Sequence, residues 1–526
     1  MKKVILTVLL VIALIAAQAQ TFQVSGKQSG VWEADTVLVT GDVDVMGSLE
    51  VCPGTMFLFT DFFSISVADG AEFSALGSAD DSIVFTVVDT TGFSNEYTGR
   101  GGWNGFQINR GRARFDYCVL QFGKAINGRD KEGGAMNIQG GDVEVAHSTL
   151  RYNYSCDRGG AIHAQDADIV MRSCHVNHNV VYSEVGAYAM YGGGLSLLKC
   201  HVDMCDMEFR GNYAPTCIGG ALSLDSCKVD LHNAVFADNI GLNGGGMYIM
   251  RNNHTVSTLY NLAFYNNSSG HFAGGLAFSD SSPYVYNLLV TNNSSEGVNC
   301  NGVFFFNHSQ PKMNNCIVYG NYPQPEQSYL IDTVQMWVWT TDEYVPEFRN
   351  CLIEGGLEHI TSGENIVVFE DVIDADPIFM DASNNDFRLQ EGSPCRDAGN
   401  EFVPFDLMEG TDLGGLRRVS NERIDLGPYE YSAASVPQYE TGKAFAWLLG
   451  MPLNADSRLV TDLSHSQKVT VKVCSLTGRI VSEMVYEANA GIQERKLDDA
   501  VARLVPGLYV IEVIAEEGVC AIKTVR

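Results

Sequence analysis

The sequence predicts an all-β chain: a parallel β-helix, or solenoid, followed by a small C-terminal antiparallel β-sandwich. Three observations predict it. Glycine pairs or triplets followed by small and apolar residues recur at Gly133-Gly134, Gly159-Gly160, Gly192-Gly193-Gly194, Gly219-Gly220, Gly244-Gly245-Gly246 and Gly274-Gly275, with a weaker copy at Asn301-Gly302. An apolar residue stands three places before an asparagine seven times: Leu150/Asn153, Val176/Asn179, Phe209/Asn212, Phe236/Asn239, Phe264/Asn267, Val290/Asn293 and Val318/Asn321. Successive asparagines are 26, 33, 27, 28, 26 and 28 residues apart, a period that marks stacked repeats. Elsewhere, short β-branched runs alternate with turn residues, and only residues 444–449 hint at a helical period.

In chain order, Lys2-Lys3, an uncharged run over 4–17 and Ala17-Gln18-Ala19 read as a signal peptide over 1–19, cleaved between Ala19 and Gln20. It is too short to span a bilayer, and no later run reaches the ~18 apolar residues a spanning helix needs. Residues 20–110 read as an N-terminal cap and first coils, with strands such as Val37-Leu38-Val39 and Ile83-Val84-Phe85 punctuated by Gly47, Pro53-Gly54 and Gly70. The main repeats cover 111–357. Each turn pairs with the next at ~4.8 Å, so inward side chains stack on their own counterparts. The glycines fit bends that need positive φ or close backbone approach. The asparagines also fit bends, tolerating the left-handed region and bonding up and down the stack. Residues 358–431 read as a capping or tail module that protects strand edges at the solenoid end. A polar linker, 432–443, leads to a β-sandwich over 444–526, where Val469, Val471 and Val473 alternate with polar residues.

Phe209-Arg210-Gly211-Asn212, Phe236-Ala237-Asp238-Asn239 and Phe264-Tyr265-Asn266-Asn267, together with the glycine signal, resemble the repeats of the polymorphic outer-membrane adhesins among the right-handed parallel β-helix proteins. The resemblance implies right-handed winding, which parallel crossovers generally favour. It implies little about function, since β-helices serve as lyases, hydrolases, adhesins and stalks alike. The block from Asp374-Ala375-Asp376-Pro377 to Asp425-Leu426-Gly427-Pro428-Tyr429-Glu430-Tyr431 resembles the tail module of secreted "choice-of-anchor" proteins. Thr477-Gly478-Arg479, Pro506-Gly507-Leu508-Tyr509-Val510-Ile511 and the terminal Lys523 resemble the type A sorting domain of type IX secretion cargo. Its usual opening is only partly present, as Met451-Pro452-Leu453-Asn454-Ala455. That resemblance implies a Gram-negative bacterium, the type IX machinery as a partner, and a secreted or cell-surface destination reached through the periplasm.

The chain carries a formal charge of −29, and −31 once Lys2 and Lys3 are removed. Such a charge disfavours nucleic acid, a polybasic membrane contact and unassisted binding of polyanionic polysaccharides, although calcium could invert the local sign. Fourteen cysteines follow the signal peptide; Cys174, Cys200, Cys227 and Cys316 fall in repeat register and read as stacked, buried, small residues. No CxxC pair or Cys/His cluster has zinc spacing.

Candidate chemistry is sparse. A lyase mechanism needs a base among calcium carboxylates, yet Arg151, Arg158, Arg172, Lys199, Arg210, Lys228 and Arg251 share no evident register. A polygalacturonase-like hydrolase needs clustered aspartates and a Gly-His-Gly loop; Asp80-Asp81 and Gly270-His271-Phe272 do not assemble one. His175 and His178 flank a bend and read as exposed turn residues. Asp225 and Asp280 each lie five residues after the second glycine of their coil and are the weak calcium candidates, two coils apart. Two insertions break the ladder. The 33-residue repeat carries Tyr182, Tyr188 and Tyr191; residues 322–345 carry Tyr329, Trp337, Trp339 and Tyr344. Aromatic loops suit stacking on sugar rings. The alternation Met336-Trp337-Val338-Trp339 is equally compatible with a plain strand. The expectation is a surface β-helix that binds an extracellular polysaccharide or cell-surface glycan, as an adhesin or glycan-binding protein with no catalytic residues identified. The alternatives are a polysaccharide lyase or glycoside hydrolase, and an inert spacer.

Overall fold

The computed structural model describes residues 21–526, apart from 96, 127–131, 183–189, 297–299, 323–334, 341–342, 362–366, 401–402, 404–409, 420–422, 433–445, 450–457, 476–479, 498–507, 516–517 and 526. The expected signal peptide with its Ala19/Gln20 cleavage site, Tyr188, Tyr329 and most of the linker lie outside the described residues. No described helix is long and apolar enough to cross a membrane.

Nearly every described element is a strand, and parallel pairing begins at once, with Thr21–Trp32 on Thr36–Val51. Later coils add strands to three rows and, from Lys124–Ala125 to Ser294–Ser295, to a fourth. Row 1 holds Met136–Gln139, Ile162–Gln165, Leu195–Leu198, Leu222–Asp225, Met247–Met250, Leu276–Ser279, Val303–Asn307 and Met336–Thr340, in continuous parallel register. Rows 2 and 3 start as separate strands, such as Asp142–Ala146 and Thr149–Arg151, fuse into single strands from His201–Arg210 to Tyr284–Thr291, and separate again at Lys312–Asn314 and Ile317–Tyr319. Row 4, including Tyr154–Ser155, Tyr213–Ile218 and Ser268–Phe272, forms a separate sheet of eight strands.

The interior is built by repetition. Phe209, Phe236 and Phe264 stack face to face at 4.6 and 4.4 Å. The seven asparagines are fully buried, and each amide bonds the next: Asn212 Nδ2 donates to Asn239 Oδ1 at 2.9 Å, and Asn239 Nδ2 to Asn267 Oδ1 at 2.9 Å. Each also donates to a strand carbonyl of the preceding coil, as Asn239 does to Phe209 at 3.0 Å. The left-handed backbone expected of these asparagines belongs instead to the residue before each one: Tyr152, His178, Gly211, Asp238, Asn266, Asn292 and Gly320. The turn is made one position early so that the amide can point inward. Gly192 has φ of +63°, and a Cβ at Gly193 would strike the Gly220 carbonyl of the next coil. The described cysteines are unbridged and, except for Cys52, buried.

The first part of the tail module continues the solenoid, with Ile360–Thr361 in row 1 and Val368–Glu370 in row 2, and the rest lies along its flank. Phe387, Leu389, Cys395 and Leu426 share a core with Ala237, Ala263, Leu289, Ile317 and Leu352, outward residues of row 3 on five successive coils. Asparagines at the row 2–3 corner hold it: Asn261 donates to the Thr411 carbonyl (3.0 Å), and Asn287 to those of Asp425 and Gly427 (2.9 Å each). Within the module, Asp425 accepts the N–H groups of Asp397 and Tyr431 at 2.6 Å each, and Glu430 lies 3.4 Å from the fully buried Arg418. This gives the Asp425–Tyr431 motif a structural role. The C-terminal residues form two antiparallel sheets with a common apolar core, which also takes in Met56 and Leu58 from the first coils. The helical hint at 444–449 is overturned: Ala446–Leu449 is a strand paired with Arg458–Leu463.

Candidate functional site

Row 1 turns alternate residues inward, so Leu222, Leu224, Met247 and Ile249 join the core while their neighbours face out. Register then fixes two outward columns. The first reads His163, Ser196, Ser223, Tyr248, Ala277, Phe304, Trp337; the second reads Gln165, Leu198, Asp225, Met250, Ser279, Phe306, Trp339. Residues at the end of row 4 stand beside the first column as a wall: Arg158, Tyr191, Ile218, Asn243 and Phe272 are successive register partners. Floor and wall meet in one corner along the rod, where Tyr248, Met250, Ala277 and Phe304 are buried and Tyr191, Ile218, Phe272, Phe306 and Trp337 pack on them partly exposed.

The corner is polar at its N-terminal end. Arg158 lies 5.1 Å over the Tyr191 ring and 3.6 Å from Glu132. His163 Nδ1 is 3.3 Å from Ser196 Oγ, and its Nε2 is 3.5 Å from a Glu132 oxygen. That order, hydroxyl then imidazole then carboxylate, is the order of a nucleophile relay. Burial, with the Arg158 charge beside it, pushes His163 down to about 4. Both distances exceed those of a working relay, and His163 and Ser196 are only 1 % and 3 % exposed. The line braces three coils.

At its C-terminal end the corner is aromatic. Phe272 stacks on Phe304 (4.7 Å) and meets Trp337 edge-on (5.6 Å); Trp337 and Trp339 lie 5.6 Å apart with planes 10° apart; Phe306 meets Trp339 at 5.5 Å. Trp339 is the last of its column among the described residues and is 53 % exposed. Polar groups border the rings: Asp280 accepts from Asn307 at 3.1 Å and lies 2.6 Å from His308 Nδ1, and Tyr344 packs on His308 at 4.8 Å.

The structure therefore brings Tyr191, Asp225, Asp280, Trp337 and Trp339 to one face. It leaves Tyr182 apart, exposed after the row 4 strand Val180–Val181. The two tryptophans belong to a strand, with Met336 and Val338 inward. The shared register of Asp225 and Asp280 is overturned. Gly275 aligns with Ala221 and not with Gly220, so Asp225 stands level with Ser279, and Asp280 falls in the following turn beside Arg251. Their oxygens already have partners: Arg251 Nε donates to Asp225 at 2.7 Å, and Asp280 takes His308 and Asn307. Among the described residues, no group of three or more His, Cys, Asp or Glu side chains could hold a metal ion. Lys199 and Arg251 also prove to share a turn column. His175 is held by Glu208 at 2.9 Å, while His178 stacks on Tyr152.

Sequence reasoning missed Arg158, Tyr248, Phe272, Phe304, Phe306 and His308. Aligning the coils on the first inward residue, and not on the glycines, would have stacked Tyr248, Phe304 and Trp337. It also missed a second aromatic patch on row 2, where His232 stacks on Tyr260 (4.6 Å) and Tyr284 lies beside Tyr286 (6.5 Å). No protein-family model matches this chain, and no curated protein matches it.

Proposed function

We propose that this is an exported surface protein whose solenoid presents a glycan-binding corner, serving as an adhesin or glycan-binding protein. The observation that carries the reading is Trp339, half exposed beside Trp337 and Phe306 on the row 1 strand Met336–Thr340. Flat rings on a fixed scaffold suit the apolar face of a sugar, and the bordering Asp280–His308 and Asp225–Arg251 pairs offer hydrogen bonds to hydroxyls. In this reading the coils wind right-handed, and residues 444–526 address the chain to the type IX machinery of a Gram-negative cell.

Titration with a panel of plant, algal and animal glycans, followed by tryptophan fluorescence, tests the corner. Saturable quenching that is abolished in a Trp337→Ala/Trp339→Ala double variant is the expected result. New reducing ends or unsaturated products would make it an enzyme, and no signal with any glycan would sink the binding reading. Deleting 444–526 should trap the chain in the periplasm; undiminished surface display would refute the export route.

A further inference from the structure

Two pairs among the described cysteines are stacked by register on neighbouring coils. His201 pairs with Lys228 and Ile317 with Leu352, so the residues just before them, Cys200/Cys227 and Cys316/Cys351, oppose one another one coil apart. The spacing of paired strands, ~4.8 Å, falls within the ~4.4–6.8 Å Cα separation that a disulfide spans. The Cys200 N–H donates to Cys227 Sγ at 3.3 Å and the Cys316 N–H to Cys351 Sγ at 3.5 Å, so both side chains of each pair share one small space inside the rod. The other cysteines whose side chains are described lack this geometry. Cys118 and Cys174 share a column, but Ser148 stands between them and bonds the Cys118 N–H at 2.8 Å.

We propose that Cys200/Cys227 and Cys316/Cys351 are modification sites that close into two inter-coil disulfides when the chain folds with a disulfide donor, such as an oxidised small thiol or oxidoreductase. One thiolate attacks the donor's disulfide and forms a mixed disulfide, releasing one donor thiol. The second cysteine thiolate then displaces the other donor thiol, leaving a protein S–S bond. The donor takes up two electrons and the cysteines give up two protons. All four thiols are buried in the finished rod, so the exchange belongs to folding, before the next coil covers the pair. The second bridge would close a loop containing residues 322–345, and so fasten the coil that carries Trp337 and Trp339. The first fastens the coil after the 33-residue repeat. Each staple thus sits where the ladder is least regular.

The test uses the full chain. It is unfolded in denaturant with reductant, refolded in a mixture of oxidised and reduced glutathione, then blocked with N-ethylmaleimide in denaturant, digested and mapped by mass spectrometry. The expected result is cross-linked Cys200–Cys227 and Cys316–Cys351 peptides, with alkylated thiols elsewhere and an intact mass ~4 Da below the all-thiol chain before blocking. A Cys351→Ala variant should lie only ~2 Da below its own all-thiol mass and lose only the second bridge. The wild-type map stands alone if that variant fails to fold. Full alkylation of either pair overturns the proposal for that pair, and bridges between other cysteines overturn it altogether.

Discussion

Asn239 and Tyr248 belong to neighbouring turns of one solenoid, yet one is a member of a uniform series and the other of none. Inward, seven asparagines make the same two amide bonds from Asn153 to Asn321. Outward, over the same coils, the first column of row 1 runs from His163 through serines to Tyr248, Phe304 and Trp337. A side chain inside the rod must fit the coil above and the coil below, and a misfit leaves a buried polar group or a void. A side chain on the corner packs against the row 4 wall, whose own residues change from Arg158 to Phe272, or faces solvent as Trp339 does, so it is free to differ. Repetition here reports folding, and departure from repetition marks where binding can reside.

The strongest test of the inner half of that contrast is Asn239→Ala. The substitution strips the acceptor from the N–H and Nδ2 of Asn212 and the donor from the Phe209 carbonyl, all fully buried. At about 1–3 kcal/mol for each group left unpaired, a loss of about 3 kcal/mol or more follows. Urea unfolding measures it; a loss under about 1 kcal/mol would mean that the ladder is ornament.

The same contrast explains what could be read from the sequence. The solenoid, the asparagine ladder and the C-terminal β unit were legible, because stacking forces period and type on the residues that make them. The aromatics of the corner were legible only where the period was broken by insertion, at Tyr191 and at Trp337 and Trp339. Phe272, Phe304 and Arg158 escaped because they sit in coils of ordinary length. The false alignment of Asp225 with Asp280 has a physical cause. A glycine doublet at Gly274-Gly275 serves where other coils use Gly-Gly-Ala or three glycines, so counting from the second glycine slips the register by one. The flank position of the tail module was illegible for another reason: its apolar partners, Ala237, Leu289 and Ile317, look like ordinary strand residues until the coils are stacked.

The polar end of the corner offers a test of intermediate size. His163 holds its proton only below about 4 when folded, against an ordinary value of 6.5. Between those values the unfolded chain binds the extra proton and the folded chain does not. The contribution is therefore complete above about pH 6.5 and lost as pH falls towards 4, amounting to about 3 kcal/mol. His163→Gln should flatten the stability profile over that window. An unchanged slope would show that the imidazole is not held neutral by burial. The relay-like order of Glu132, His163 and Ser196 can be probed in the same preparation. An organophosphonate that modifies activated serines should leave Ser196 unlabelled, because the hydroxyl is 3 % exposed.

The smallest expected change in stability is at Trp339, and there the contrast becomes sharpest. Half of this side chain faces solvent, and no ring of a later coil covers it among the described residues, so Trp339→Ala should cost under about 1 kcal/mol, where Phe236→Ala, a fully buried rung of the stack, should cost about 3–5. Glycan binding should behave the opposite way. A stacked aromatic anchor contributes about 1.5–3 kcal/mol, so Trp339→Ala should weaken affinity at least tenfold, while Tyr182→Ala, away from the corner, should leave it unchanged. Fluorescence titration of the three folded variants decides the matter. Equal affinities for Trp339→Ala and the parent chain would detach the ligand from this end of the corner. A loss at Tyr182 instead would move the site to row 4, where the ladder is also interrupted.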